Sequence, residues 1–234
     1  MHIFPALFRG GKLTGAAMKI RVVAYIDGFN LYFGLREAGL RRYYWLDVVA
    51  LSTNLLKPYQ ELIAVKYFTS RVSGAHPADS PTSRASREAS RLRQGVYLDA
   101  LASLPGLEII EGKFLAKSKL KCIRCGGLIH TFEEKMTDVN IATHLLIDAH
   151  QNTFDTALLI SADSDLVPPV KIVGNNFPGK RVVVAFPPKR WSNDLAQAAT
   201  ARFNIGNAVL AKSQLPNLVQ LSRGNHARRP PQWY

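Results

Sequence analysis

The sequence predicts an α/β fold with a doubly wound parallel sheet and helices on both faces. Three observations carry that prediction. Apolar, β-rich runs alternate with helical stretches along the chain, the pattern of strands joined by crossover helices. Two of those runs, Thr156–Ala162 (TALLISA) and Arg181–Phe186 (RVVVAF), are nearly continuous in apolar residues, as parallel strands covered on both faces are. The chain has 234 residues, 47% of them hydrophobic, which suits one domain around a single core.

The elements follow in order. In Met1–Lys19 a short apolar patch, Ile3–Phe8, is broken by Pro5 and followed by Arg9. No cleavage-site pattern follows it, so a secretory signal is not read there. Met18 stands just before the first strand, and residues 1–18 are expected to be a disordered extension. Arg21–Ile26 is the first strand and ends in Asp27-Gly28-Phe29-Asn30. A helix follows, with Leu31, Phe33 and Leu35 near its inner face and Gly39 closing it. A second helix covers Leu46–Leu56, with Asp47 in its first turn and Pro58 beyond its end. Glu61–Ser70 reads as the second strand.

Residues 71–95 are rich in Ser, Arg and Ala and read as a loop or lid, running into a helix over Ser86–Leu104. Pro105-Gly106 ends it, and Leu107–Glu111 is the third strand. Residues 116–131 form a basic excursion that holds both cysteines. Thr137–His150 has an amphipathic helical pattern, with Val139, Ala142, Leu145, Leu146 and Ala149 on the buried side. After the strand Thr156–Ala162, Pro168-Pro169 opens a helix, where prolines are tolerated. A last helix covers Ser192–Thr200. The domain is expected over 19–215, with 216–234 a basic flexible tail. There is no internal repeat.

Lys and Arg number 30 against 17 Asp and Glu, a formal charge of +13. That excess favours a polyanionic partner, and RNA is the expected one. No run reaches the ~18 apolar residues a membrane helix needs. Two cysteines in a chain of this length point to a reducing cytoplasm without a disulfide framework. Self-association is left open.

The carboxylates carry the chemistry. Asp27 ends the first strand, Asp163 and Asp165 follow the strand Thr156–Ala162, and Asp138 opens the helix before it. In open α/β sheets, ligands bind beyond the carboxyl ends of the strands, where the strand order reverses. Singly, each acid has a plain structural role. Asp27-Gly28 is a common turn, Asp138 complements a helix dipole, and Asp163-Ser164-Asp165 caps a helix. Together they would repel one another unless a hard cation joined them, and carboxylate oxygens suit Mg²⁺ or Mn²⁺. Such a site can activate water for in-line displacement at phosphorus.

The runs IDGFN (Ile26–Asn30), EEKMTDVNIATHLL (Glu133–Leu146) and LLISADSDLVPPV (Leu158–Val170), in that order, resemble the NYN domains, relatives of PIN nucleases that include the LabA-like group. The resemblance covers about residues 20–215 and implies a PIN-like Rossmannoid fold with divalent-metal ribonuclease chemistry. Asp27, Asp138 and Asp163 match the metal-binding acids of the family. Asp165 matches the second acid of its Asp-Ser-Asp run, and Asn30 its early polar residue. Similar chains commonly carry Gly where Ala162 stands, and an acid where Thr200 stands, which puts a fourth ligand from that helix in doubt.

Other constellations are weaker. Cys122-Ile-Arg-Cys125-Gly-Gly has the form of a zinc knuckle, but a closed Zn²⁺ site takes four ligands. His130, His76 or a second subunit would have to complete it; the alternative is a plain reduced turn. Lys113, Lys117, Lys119, Lys121 and Arg124 form a basic run suited to nucleic acid. Arg84, Arg87, Arg91 and Arg93 lie along one helix face, as phosphate contacts or as a solvated surface. Gly10–Gly15 lacks the spacing of a phosphate loop. Two further functions compete with a ribonuclease. One is a nucleic-acid-binding module that cuts slowly or not at all. The other is hydroxylation of a pyridine derivative, a label borne by some similar chains, although no flavin or nicotinamide fingerprint is present.

Overall fold

β1 (Ile20–Asp27) is the axis of the sheet. Its residues alternate between two cores, because successive side chains of a strand leave opposite faces. Val22, Ala24 and Ile26 enter one core, while Val23 and Tyr25 enter the other. β1 pairs in parallel on both sides, with β2 (Gln60–Thr69) and with β6 (Thr156–Ile160). β3 (Leu107–Glu111) extends the sheet beyond β2, and β7 (Arg181–Phe186) and β8 (Ala201–Asn204) extend it beyond β6. The order is β3-β2-β1-β6-β7-β8, parallel throughout. The doubly wound fold read from the sequence is therefore present, and the order reverses between β1 and β6. The computed structural model describes residues 19–72, 80–121, 128–221 and 224–234, with 114–121 and 128–133 described by backbone alone.

One face carries α1 (Gly28–Glu37), α2 (Val48–Leu55), α3 (Pro81–Ala102) and α7 (Asn207–Lys212). The other carries α4 (Thr137–His150), α5 (Val167–Asn176) and α6 (Asn193–Ala198). Each helix is started by its own chemistry. Asp47 caps α2 by accepting from the Val49 and Ala50 N–H groups, Ser80 caps α3 ahead of Pro81, and Ser192 caps α6. These caps satisfy amides that have no partner within the helix. Among the described residues, no helix is long and apolar enough to cross a membrane.

Several boundaries and faces differ from expectation. α3 starts at Pro81 rather than Ser86, because a proline at the first helical position needs no amide partner and Ser80 supplies the cap. In α1, Leu31 and Leu35 are buried but Phe33 is exposed, since positions i and i+4 share a face and i+2 does not. In α4 the buried stripe is Ile141, Leu145, Asp148 and Ala149, and Val139 is 67% exposed. The core there accepts a polar Asp148 because it has buried partners of its own. The basic excursion is an antiparallel hairpin, β4 (Lys113–Lys121) with β5 (Leu128–Lys135). Finally, 216–234 is not a free tail in its described part. Leu218–Gln220 (β9) and His226–Arg228 (β10) pair, and Trp233 is 8% exposed within the core on the α1 face. Its ring lies against Tyr44, Trp45 and Tyr97, so buried aromatic area outweighs the cost of ordering a Pro- and Arg-rich end. Residues 1–18 and the cysteine pair, Cys122 and Cys125, lie outside the described residues.

Candidate functional site

Asp27 ends β1 on the strand parity that points to the α4 face. Only 4% exposed, it caps α1. Its Oδ1 accepts the Asn30 N–H at 2.9 Å, and its Oδ2 accepts the Ser161 hydroxyl at 3.0 Å. Ser161 Oγ in turn accepts the Asp163 N–H at 3.1 Å, and Asn30 Oδ1 accepts the Ala162 N–H at 3.1 Å. These bonds join the carboxyl ends of β1 and β6 across the switch point. Gly28 is required by close approach. A Cβ there would lie 2.6 Å from the Tyr67 ring and 2.9 Å from the Phe68 carbonyl.

Asp163 follows β6 and opens a short 3-10 turn, Ser164–Leu166, by accepting the Asp165 N–H at 2.9 Å. Asp138 arrives from the first turn of α4. The chain enters that helix through Met136, whose φ of 81° is left-handed and strained for a side chain of that size. One carboxylate oxygen from each of Asp27, Asp138 and Asp163 lies within 4.8 Å of the other two. The three acids singled out in the sequence therefore meet in one place.

Burial first, and then the neighbouring charges of Asp138 and Asp163, push the Asp27 carboxyl up to about 7, although hydrogen bonds from Asn30 and Ser161 oppose the rise. Burial and the charges of Asp163 and Asp165 push Asp138 up to about 6. Among the described residues, no lysine or arginine is one of the groups that shift these two carboxyls. Carboxylates crowded together at a partly buried site favour an external cation. Three carboxylate oxygens brought this close form a hard donor set of the kind Mg²⁺ or Mn²⁺ takes, and these residues would hold such an ion. At the head of α4, the buried Thr137 Oγ1 has no hydrogen-bond partner among the described residues.

The remaining candidates divide. Asp165 is exposed; its charge reaches Asp138, but it is not one of the three converging acids. Asn30 is half-buried and positions the loop after β6 rather than joining the cluster. Thr200 accepts the Val182 N–H at 3.2 Å near the amino end of β7, so an acid there would sit at the opposite end of the sheet. Asp194, opening α6, lines a hollow together with Ser164 and Gln197. Glu134, at the end of β5, was not singled out from sequence. Burial raises its carboxyl first; the Ser70 hydroxyl, donating to it at 3.1 Å, opposes the rise, and the Asp138 and Asp163 charges add to it. Its position four residues before Asp138 was visible, but a strand, a left-handed residue and a helix start had to be foreseen together.

Lys113 is exposed at the root of the hairpin. Gly112 holds that root against β2, since a Cβ there would meet the Lys135 carbonyl at 2.5 Å and Ser70 Oγ at 2.8 Å. The hairpin thus leaves the sheet at its carboxyl-end edge. Lys117, Lys119 and Lys121 lie on β4, described by backbone alone, and Arg124 lies outside the described residues. Arg93 belongs elsewhere: on α3 its Nη2 donates to Ser90 Oγ at 3.0 Å, and it lines a cavity beside α1.

Comparison with known proteins gives a family model described as NYN domain, matching residues 21–205. A 6-hydroxy-3-succinoylpyridine 3-monooxygenase of Pseudomonas putida is 26% identical over 260 aligned positions, spanning 95% of this chain and 78% of that one. A crystal structure of a protein of unknown function from Vibrio parahaemolyticus superposes with a TM-score of 0.47 at 19% identity, covering 86% of this chain and 100% of that one.

Proposed function

We propose that this chain, which belongs to the NYN domain family, is a divalent-metal-dependent ribonuclease whose metal is held by Asp27, Asp138 and Asp163. NYN domains fall in the PIN-like nuclease superfamily. The observation that carries the reading is the convergence of these three carboxylates at the switch point, two of them pushed up by burial and by their neighbours' charge. A Mg²⁺ or Mn²⁺ bound there supplies an activated water and neutralises charge at phosphorus. The chain's own residues do the positioning. Ser161 and the Asn30 amide each hold one oxygen of Asp27. Asp165 and Glu134 add negative charge around it. The basic hairpin, through Lys113, Lys117, Lys119, Lys121 and Arg124, captures the RNA.

The test is cleavage of labelled RNA with and without Mn²⁺ by the parent and by Asp27→Asn and Asp163→Asn. Metal-dependent cutting by the parent that both variants lose supports the assignment; equal cutting by the variants places the chemistry elsewhere. Binding without any cutting by the parent would leave a nucleic-acid-binding module. Neutralising Lys119 and Lys121 should weaken capture and flatten its salt dependence while sparing turnover at saturation.

The Pseudomonas putida relative favours a second reading, hydroxylation of a pyridine derivative. Three aspartates are hard oxygen donors, better matched to Mg²⁺ or Mn²⁺ than to redox iron, which ranks this reading second. An absorbance spectrum showing bound flavin, or consumption of a nicotinamide cofactor dependent on a pyridine substrate, would reverse that order.

A further inference from the structure

We propose that a cavity of about 490 Å³ on the α1 and α3 side of the sheet is a nucleotide subsite, seating a base on its aromatic wall and a phosphate on its arginines. The proposal rests on the nucleic-acid reading above, but it locates a contact that the three carboxylates do not provide. Its volume falls in the range of small-molecule pockets.

The wall is a run of rings. Tyr32, Tyr44, Tyr97 and Trp233 all line the cavity. The centroids of Tyr32 and Tyr44 lie 5.1 Å apart, those of Tyr44 and Trp233 5.8 Å, and those of Tyr97 and Trp233 6.0 Å. Tyr32 is 39% exposed and offers part of its surface to an incoming plane. Base stacking on such rings tolerates any sequence, because every base has a π-face. The C-terminal segment closes the cavity through Gln232 and Trp233.

The charge is as informative as the rings. Arg36, Arg41 and Arg93 line the same cavity. Other arginines are engaged by acids: Arg21 with Asp155, Arg71 with Glu111, Arg91 with Glu88 and Arg190 with Glu37, at 2.5–2.9 Å. Among the described residues, none of the three cavity arginines has an acid partner; Arg93 donates to a serine. The charges of Arg41 and Arg36 reach the Tyr44 hydroxyl, so cation and ring lie together. Unpaired guanidinium groups beside a ring shelf suit a planar aromatic that carries a phosphate.

The position links cavity and acids. Gly28 lines the cavity, and Asp27 is the residue before it, with its Cα ~3.8 Å away. The two sites therefore flank one β1–α1 junction, the acids on the α4 side of the sheet and the cavity on the α1 side.

The test uses the full chain in EDTA, titrated with 5′-AMP and 5′-UMP and followed by tryptophan fluorescence. Saturable quenching is expected, weakened roughly tenfold in Tyr32→Ala and in an Arg36→Ala/Arg41→Ala double variant, the scale of one lost base stack. All three side chains are exposed, so unchanged thermal melts should accompany the loss. Benzoate, an aromatic anion without phosphate, should compete poorly. No saturable binding up to millimolar nucleotide, equal binding by the variants, or equal competition by benzoate overturns the proposal. Because binding is read without metal, a protein that binds nucleotide but never cuts keeps the subsite and loses the nuclease reading. One that cuts with Mn²⁺ at an unchanged KM in the Tyr32→Ala variant keeps the nuclease reading and loses the subsite.

Discussion

A single buried acid and a cluster of three acids, one of them buried, lie on the α4 side of this sheet, and the two groups are treated in opposite ways. At its middle, Asp148 on α4 accepts the Tyr25 hydroxyl at 2.6 Å and pairs with Lys66 Nζ at 2.7 Å; Lys66 also lies 3.3 Å from His144 Nδ1. That carboxylate has a cation from its own chain. At the carboxyl end of the sheet, Asp27, Asp138 and Asp163 converge, and among the described residues no lysine or arginine shifts the two carboxyls that are pushed up. Burial alone does not make an acid functional; a buried acid left without its counter-charge is what points to an external ligand. α4 belongs to both groups, anchored through Asp148 and carrying Asp138 at its head.

The sharpest way to break this contrast is to remove one charge from each group. Asp27→Asn keeps the size of the side chain and should lower Mn²⁺-dependent RNA cleavage by two or more orders of magnitude, on the order of an essential metal ligand's effect. Its metal-free melting temperature should hold or rise, because a repelling charge has gone. Parent-like cleavage by this variant would end the catalytic assignment. Lys66→Met should act in reverse. It leaves Asp148 buried and unpaired, at a cost of roughly 3–5 kcal/mol, read by denaturant unfolding. A loss below about 1 kcal/mol would show that Asp148 does not depend on Lys66.

The same contrast explains what the sequence showed. β1, β6, β7 and α4 were legible because their apolar runs are long and their punctuation is local, and Asp27, Asp138 and Asp163 were found because strand ends could be counted. Long-range partners were not legible. Nothing near Asp148 in sequence reveals that Lys66 and Tyr25 face it from two other strands. Glu134 was missed because its route to the site runs through the strained Met136, and Met is not a residue from which a left-handed turn is read. The C-terminal segment looked like a solvated tail because its charge and prolines dominate a short window. Trp233 reverses that by filling a gap among Tyr44, Trp45 and Tyr97, a contact between residues far apart in sequence.

Proton linkage gives an intermediate effect. Asp27 titrates at about 7 and Asp138 at about 6 in the fold, against about 4 in an unfolded chain. Between those values the folded state holds more protons, so metal-free stability from these groups is fullest below about pH 4 and is lost as pH rises to about 7. Metal requires the ionised forms. In EDTA, the melting temperature should fall between pH 5 and pH 8, and Mn²⁺ should restore several degrees at pH 8 but little at pH 5. Equal stabilisation by Mn²⁺ at both values would mean that it binds elsewhere.

The smallest effect is expected from a third acid, placed in water at the opposite end of the sheet. Asp155, just before β6, accepts from the Arg21 backbone N–H at 2.8 Å, from Nη2 at 2.7 Å and from Nε at 3.2 Å. The hydrogen bonds from Arg21 hold its carboxyl below the usual range. In charge it is better satisfied than Asp27, yet both partners are well exposed, at 37% and 39%, so solvent screens the attraction and little stability depends on it. Asp155→Asn should cost about 1 kcal/mol or less, with the difference shrinking further in high salt. Because the depressed carboxyl is ionised in the fold before it is in the unfolded chain, that small contribution is present above about pH 4 and lost as pH falls below it, the reverse of the Asp27 trend. Cleavage of RNA should be unchanged, since the pair lies at the amino ends of β1 and β6. A loss of several kcal/mol in Asp155→Asn would mean that exposure does not separate the three acids, and the distinction between paired, unpaired and solvated carboxylates would fail at its simplest member.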